Sequence, residues 1–128
     1  TLSVPSEAHA AAADFFGIVS GRTEDKFSQT GLTPTRSELV DAPFVEEFPM
    51  VLECRVIHHY QIGLHTHFVG EILDVKIEES VLGDDDNPDI EKVRPILFSP
   101  GVQTYHGVGS YVGKAFHMGK NISVPKKS

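Results

Sequence analysis

Met50-Val51-Leu52-Glu53-Cys54-Arg55-Val56-Ile57-His58-His59 is the stretch on which the fold turns. Leu52, Cys54 and Val56 alternate with Glu53 and Arg55, the period-two pattern of a strand with one apolar and one polar face. Tyr60-Gln61-Ile62-Gly63 offers a turn. Thr66–Glu79 then reads as a second, longer strand with Val69, Leu73, Val75 and Ile77 on one face. Together they predict an antiparallel hairpin, with Leu52, Cys54 and Val56 toward the core and Glu53 and Arg55 toward solvent. Cys54, in phase with its apolar neighbours, reads as a small core residue.

Upstream of the hairpin, Leu32–Pro49 carries Pro34, Pro43 and Pro49 and only short apolar pieces, which predicts an extended connector. Thr23–Ser28 reads as a short helix with Thr23 as its capping hydroxyl, Glu24 and Asp25 in its first turn and a stop at Gly31. Ala8–Val19 contains no proline and places Ala11, Phe15, Ile18 and Val19 at helical spacing. Ser6 suits its N-cap, Glu7 the positive end of its dipole, and Gly21 a left-handed C-cap. Thr1-Leu2-Ser3-Val4 alternates like the end of a strand.

Downstream, Gly83-Asp84-Asp85-Asp86-Asn87-Pro88 is an acidic turn and Asp89–Val93 can add one helical turn. Ile96-Leu97-Phe98 is a brief strand ended by Ser99-Pro100-Gly101. The tail alternates glycine with Tyr105, Tyr111 and Phe116 and finishes polar at Lys126-Lys127-Ser128. The whole predicts one α+β domain over residues 1–128, mainly antiparallel β with an N-terminal helix pair.

Composition narrows the function classes. With 128 residues, 40% of them apolar and 23% charged, the chain has the make-up of a globular domain, not of a disordered or collagen-like one. No apolar run approaches the ~18–20 residues that span a bilayer. One cysteine makes no internal disulfide, which together with the absence of a signal-peptide pattern predicts a cytoplasmic protein. Eleven basic against eighteen acidic side chains give a net charge of −7, which argues against nucleic acid as the partner.

Three local patterns invite chemistry. His65-x-His67-x-x-x-Glu71 mimics the first half of a cupin metal site, since His65 and His67 fall on one face of a strand. The rest of that pattern fails: position 59 is His instead of Gly, and Pro100 and Gly101 are adjacent instead of spaced. Asp84 and Asp86 have calcium-loop spacing, but Asp89 stands where the sharp bend needs glycine. Gly107-x-Gly109-x-x-x-Gly113-Lys114 lacks the glycine at 108 and the hydroxyl at 115 of a phosphate loop. Turn histidines, a solvated acidic loop and glycines that permit tight packing are the plain alternatives.

Three longer segments carry a more specific signal. Asp14-Phe15-Phe16-Gly17-Ile18-Val19-Ser20-Gly21-Arg22-Thr23-Glu24-Asp25-Lys26-Phe27 resembles the helix-and-loop motif of flavoredoxin-type proteins, members of the flavin-reductase-like family with the FMN-binding split-barrel fold. Gly63-Leu64-His65-Thr66-His67-Phe68-Val69-Gly70-Glu71 resembles that family's strand entry, and Pro95-Ile96-Leu97-Phe98-Ser99-Pro100-Gly101 resembles its proline-bounded aromatic segment. The three occur in the family's order, and the likeness runs from about Leu2 to about Phe116.

That resemblance implies FMN as cofactor and a split β-barrel. It implies Lys26 at the flavin phosphate, where a point charge suits a dianion, with Ser20 and Arg22 assisting. It implies His65 as the catalytic residue beside the ring, where a donor stabilises developing negative charge, and Phe98 as an aromatic packed on the cofactor. The family's first strands have no counterpart before Thr1. The expectation is therefore a partial barrel, the C-terminal two thirds of the domain, working as a homodimer. Reducing equivalents would come from a nicotinamide nucleotide or a redox protein. The alternatives are a non-enzymatic split-barrel remnant serving dimerisation or binding, and a cupin-like metalloprotein.

Overall fold

A computed structural model describes residues 1–122; the polar end at Lys126-Lys127-Ser128 lies outside them. Leu2–Val4 (β1), Met50–Ile62 (β4) and His65–Ile77 (β5) form a three-stranded antiparallel sheet in the order β1-β4-β5. The strand-like N-terminal tetrapeptide pairs Leu2 with Leu52 and Val4 with Met50. The predicted hairpin is present, but both strands run further than expected. Pairing continues through His59 with Phe68, Tyr60 with His67 and Ile62 with His65. The turn shrinks to Gly63-Leu64, where Gly63 takes φ 58°, a left-handed value that favours glycine.

Two register shifts remodel the faces of this hairpin. Glu53 pairs with Asp74 but Cys54 with Ile72; Val56 pairs with Gly70 but His58 with Val69. Each shift inserts one extra residue and bends the ribbon. As a result Val75 and Ile77 share a face with Ile72, while Val69 falls on the other.

The expected core face is reversed. Val51 and Glu53 are buried, at 3% and 0% exposure, whereas Leu52 and Cys54 are half-buried and Val56 is 58% exposed. The segment read as a connector lies on the Val51 side of the sheet, where Phe44 and Phe48 line one depression with Val51. Pro34–Arg36 (β2) and Pro43–Val45 (β3) pair as a second antiparallel ribbon, with prolines at its ends where a missing amide donor is tolerated. Leu32, Val45 and Phe48 are the buried centre of the molecule, with Ala12, Phe16 and Phe27 packed against it. The opposite face of the sheet leaves Leu2, Val56, Phe68 and Ile72 exposed around one shallow apolar groove.

The helices also differ in detail. A 3-10 turn over Glu7–His9 leads into Ala10–Ile18 (α1). The Ser6 hydroxyl sits 3.2 Å from His9 Nδ1 and caps no backbone amide. Ala12 and Phe16 face the core, Ile18 is 73% exposed, and the helix ends at an extended Val19 without a left-handed Gly21. Lys26–Thr30 (α2) begins later than expected because Asp25, not Thr23, is its cap, accepting from the Ser28 amide at 3.1 Å. Gly31 closes it at φ 70°, as predicted. Ile90–Val93 (α3) is the expected single turn, capped by Asp89. Leu97–Ser99 (β6) pairs with Thr104–His106 (β7), so part of the glycine–aromatic tail is a strand.

Candidate functional site

The loop after α1 folds around Ser20. Its carbonyl accepts from the Thr23 and Glu24 amides, each at 3.1 Å, and from the Thr23 hydroxyl at 3.2 Å. Its own hydroxyl accepts from the Arg22 amide at 3.3 Å. Gly21 through Phe27 then line an open depression. Arg22 stands on its rim, and among the described residues its guanidinium makes no hydrogen bond or ion pair. Lys26 is more committed: Nζ donates to the Phe16 carbonyl at 2.6 Å and lies 5.9 Å from the Phe16 ring centroid. Phe16 belongs to the last turn of α1, whose carbonyls lack partners within the helix, so Lys26 caps that end. Phe27 meets Phe16 edge-on at 5.3 Å and holds the two helices together.

Phe98 reaches the same helix by another route. The residue is 55% exposed, and its ring lies 5.3 Å from that of Tyr105, its cross-strand partner on β7. The Tyr105 hydroxyl donates to Asp14 Oδ1 at 3.0 Å, and this bond to a carboxylate holds the phenol above its ordinary pKa. Asp14 and Phe16 are two residues apart on α1. One short helix thus ties the Ser20–Lys26 loop to the Phe98 ribbon. Asp14 and Tyr105 carry no motif signal as a pair, because 91 positions separate them.

His65 lies elsewhere. It opens β5 beside the hairpin tip, exposed, on the same face as His67, as its strand spacing predicts. Among the described residues its side chain makes no hydrogen bond, ion pair or ring contact with the loop or with Phe98. His67 meets the Tyr60 ring at 6.5 Å. The structure therefore gathers Ser20, Arg22 and Lys26, connects Phe98 to them through α1, and leaves His65 on the hairpin.

The cupin-like alternative finds no ligand set. Among the described residues no three His, Cys, Asp or Glu side chains stand where they could share a metal ion. Glu71, its third member, instead accepts from Arg55 Nε at 3.1 Å. In the acidic turn Asp85 accepts from the Asn87 amide at 3.3 Å, an Asx turn that explains the loop without a cation.

Comparison with known proteins agrees with the motif order. The family model described as "Flavin reductase like domain" matches residues 1–104. A flavoredoxin of Desulfovibrio vulgaris (Miyazaki F) is 52% identical, with a TM-score of 0.86 over 92% of this chain and 63% of its own. A flavoredoxin from Methanosarcina acetivorans is 34% identical, with a TM-score of 0.84 over 92% of this chain and 62% of its own. An FMN-binding domain of a flavin reductases-like enzyme from Shewanella baltica is 19% identical over 88% of this chain and 61% of its own; its TM-score of 0.67 shows a shared fold. The chain spans 33% and 37% of the lengths of two curated relatives that it matches. No described helix is long and apolar enough to cross a membrane. With most of its length matched by the family model, and with a mainly antiparallel fold like that of the flavoredoxins, this chain belongs to the flavin reductase-like domain family.

Proposed function

We propose that this chain binds FMN and serves a flavoredoxin-type oxidoreductase, which passes reducing equivalents from a nicotinamide nucleotide or a redox protein to an acceptor. The observation that carries this reading is the Ser20–Lys26 loop. It sets an uncommitted guanidinium and an ammonium on one open depression, beside a helix that also anchors an exposed aromatic ribbon. Those residues fit the cofactor. Lys26 has three N–H donors and gives one to Phe16, which leaves two for a phosphate; Arg22 offers its planar fork, and Ser20 a hydroxyl. Phe98 presents ring surface for the isoalloxazine. When bound, FMN supplies the hydride and electron chemistry, while the protein contributes position and charge. His65 is assigned to the ring end on the family resemblance.

The exposed sheet face of Leu2, Val56, Phe68 and Ile72 supports a homodimer, because soluble monomers seldom leave so continuous an apolar patch uncovered. The same face favours the second reading, a non-catalytic split-barrel module used for dimerisation. FMN titration separates the two. We expect bound-flavin absorbance near ~450 nm and an FMN affinity that falls about tenfold in Arg22→Gln, a substitution that removes no intramolecular partner. Lys26→Met should weaken binding at least as much in protein whose far-UV spectrum is unchanged. FMN affinity equal to wild type in both variants refutes the phosphate site; no flavin binding by wild type favours the module.

A further inference from the structure

The ribbon that carries Phe98 is held at its base and at one point along its length. At the base, the Glu7 amide donates to the Arg94 carbonyl at 2.8 Å, and the Glu7 carboxylate pairs with the Arg94 guanidinium at 2.5 Å. The chain leaves the ribbon at Gly107, packed so closely on Glu7 that an added Cβ would fall 1.9 Å from Oε1. Both ends of the ribbon therefore converge on one glutamate. Between them, among the described residues, Leu97–His106 pairs only with itself. Among the described residues, a single hydrogen bond joins 97–106 to the rest of the chain: Tyr105 O–H to Asp14 Oδ1, at 3.0 Å. That bond falls at the strand position where Tyr105 lies against Phe98.

We propose that Tyr105 is a positioning residue whose bond to Asp14 latches the β6–β7 ribbon onto α1 and so fixes Phe98 relative to the FMN-binding loop. The inference rests on the FMN reading of that loop and adds to it a residue that acts through Phe98. The contacts at the base hold the two ends of the ribbon, and one charge-assisted bond at its middle selects the position of the aromatic ring. Since the bond crosses from helix to ribbon, its loss frees Phe98 without disturbing the buried centre at Leu32, Val45 and Phe48.

The test uses wild type, Tyr105→Phe, Asp14→Ala and the double variant, each as the full chain. The latch itself is read without flavin. The chain has three tyrosines and no tryptophan, so the long-wavelength tyrosinate absorption band follows phenol ionisation. In a Tyr60→Phe/Tyr111→Phe background, Tyr105 should ionise above the ordinary tyrosine range of ~10, and Asp14→Ala should return it there. Ordinary ionisation in both proteins overturns the latch. Its role is read with FMN as probe. We expect the dissociation constant to rise about fivefold in either single variant and no further in the double. The visible circular dichroism of bound FMN should change too, a signature that a loss of global stability alone does not produce. Unchanged affinity and dichroism, with the phenol shift intact, overturn the positioning role. Failure of wild type to bind FMN refutes the underlying reading instead, while the phenol titration still decides whether the latch exists.

Discussion

Glu53 offers the sharpest test of the packing. Its side chain has 0% exposure, and among the described residues neither carboxylate oxygen has a hydrogen-bond partner. Its nearest cation among the described residues, Lys76 Nζ, is 3.8 Å away and is shared with Glu38 at 3.7 Å and Asp74 at 3.6 Å. Coulomb attraction falls as the inverse of distance, so at 3.8 Å it retains about three quarters of its value at a ~2.8 Å contact. Removing a carboxylate from water costs several kcal/mol even after relaxation, and no hydrogen bond offsets that cost here. Replacing a buried ion pair by apolar side chains of similar volume is often neutral or stabilising, by about 1–4 kcal/mol, whereas removing one partner is costly when it leaves the other charge buried and unpaired. Lys76 keeps two other carboxylates and is not orphaned by the change. Glu53→Met should therefore stabilise the chain by about 1–2 kcal/mol. Followed by far-UV circular dichroism in urea, with a slope of about 1.5 kcal/mol per molar, the midpoint should rise by roughly 1 M at unchanged slope. A lower midpoint would refute the reasoning, because it would mean that the carboxylate is well satisfied where it sits.

Acid should act through Glu47. Both of its oxygens accept from the Thr33 amide, at 3.0 and 2.9 Å, and that backbone bond holds the carboxyl below its ordinary pKa of 4.5. A carboxyl lowered on folding adds stability above its unfolded pKa and loses it as pH falls through the folded value. Urea midpoints measured from neutral pH down to ~3 should thus drop less in Glu47→Gln than in wild type; parallel curves would count against the bond. At the ribbon base, Gly107→Ala should push the Glu7 carboxylate off Arg94 and cost about 0.5–1 kcal/mol. In a Glu7→Ala background the same substitution should cost nothing measurable by thermal unfolding, and a persistent cost would place the strain elsewhere.

Elements whose determinants are local were legible in the residues. The β4–β5 hairpin, the stop at Gly31 and the single turn of α3 each depend on neighbours within a few positions, whether by alternation, left-handed glycine or an Asp cap. Ser20, Arg22 and Lys26 lie near one another for the same reason, being three residues within seven consecutive positions. The connector was misread because prolines mark breaks in long strands but are equally at home at the ends of short edge ribbons such as β2–β3. The turn was placed too early because Tyr60 and Ile62 keep their cross-strand partners up to Gly63.

By itself the sequence determined that β4 has two unlike faces, that it pairs antiparallel with β5, and that the motif order is that of the flavin reductase-like family. Only the tertiary structure decided which face is covered. Period two distinguishes the faces of a strand without saying what lies against either one. Phe44 and Phe48 arrive from a stretch that alone looks structureless and line one depression with Val51, while Val56 stays in solvent. The same holds for Lys26 beneath the Phe16 carbonyl and for Tyr105 on Asp14. A contact across 91 positions has no local pattern, and it exists only because helix and ribbon are brought to one place.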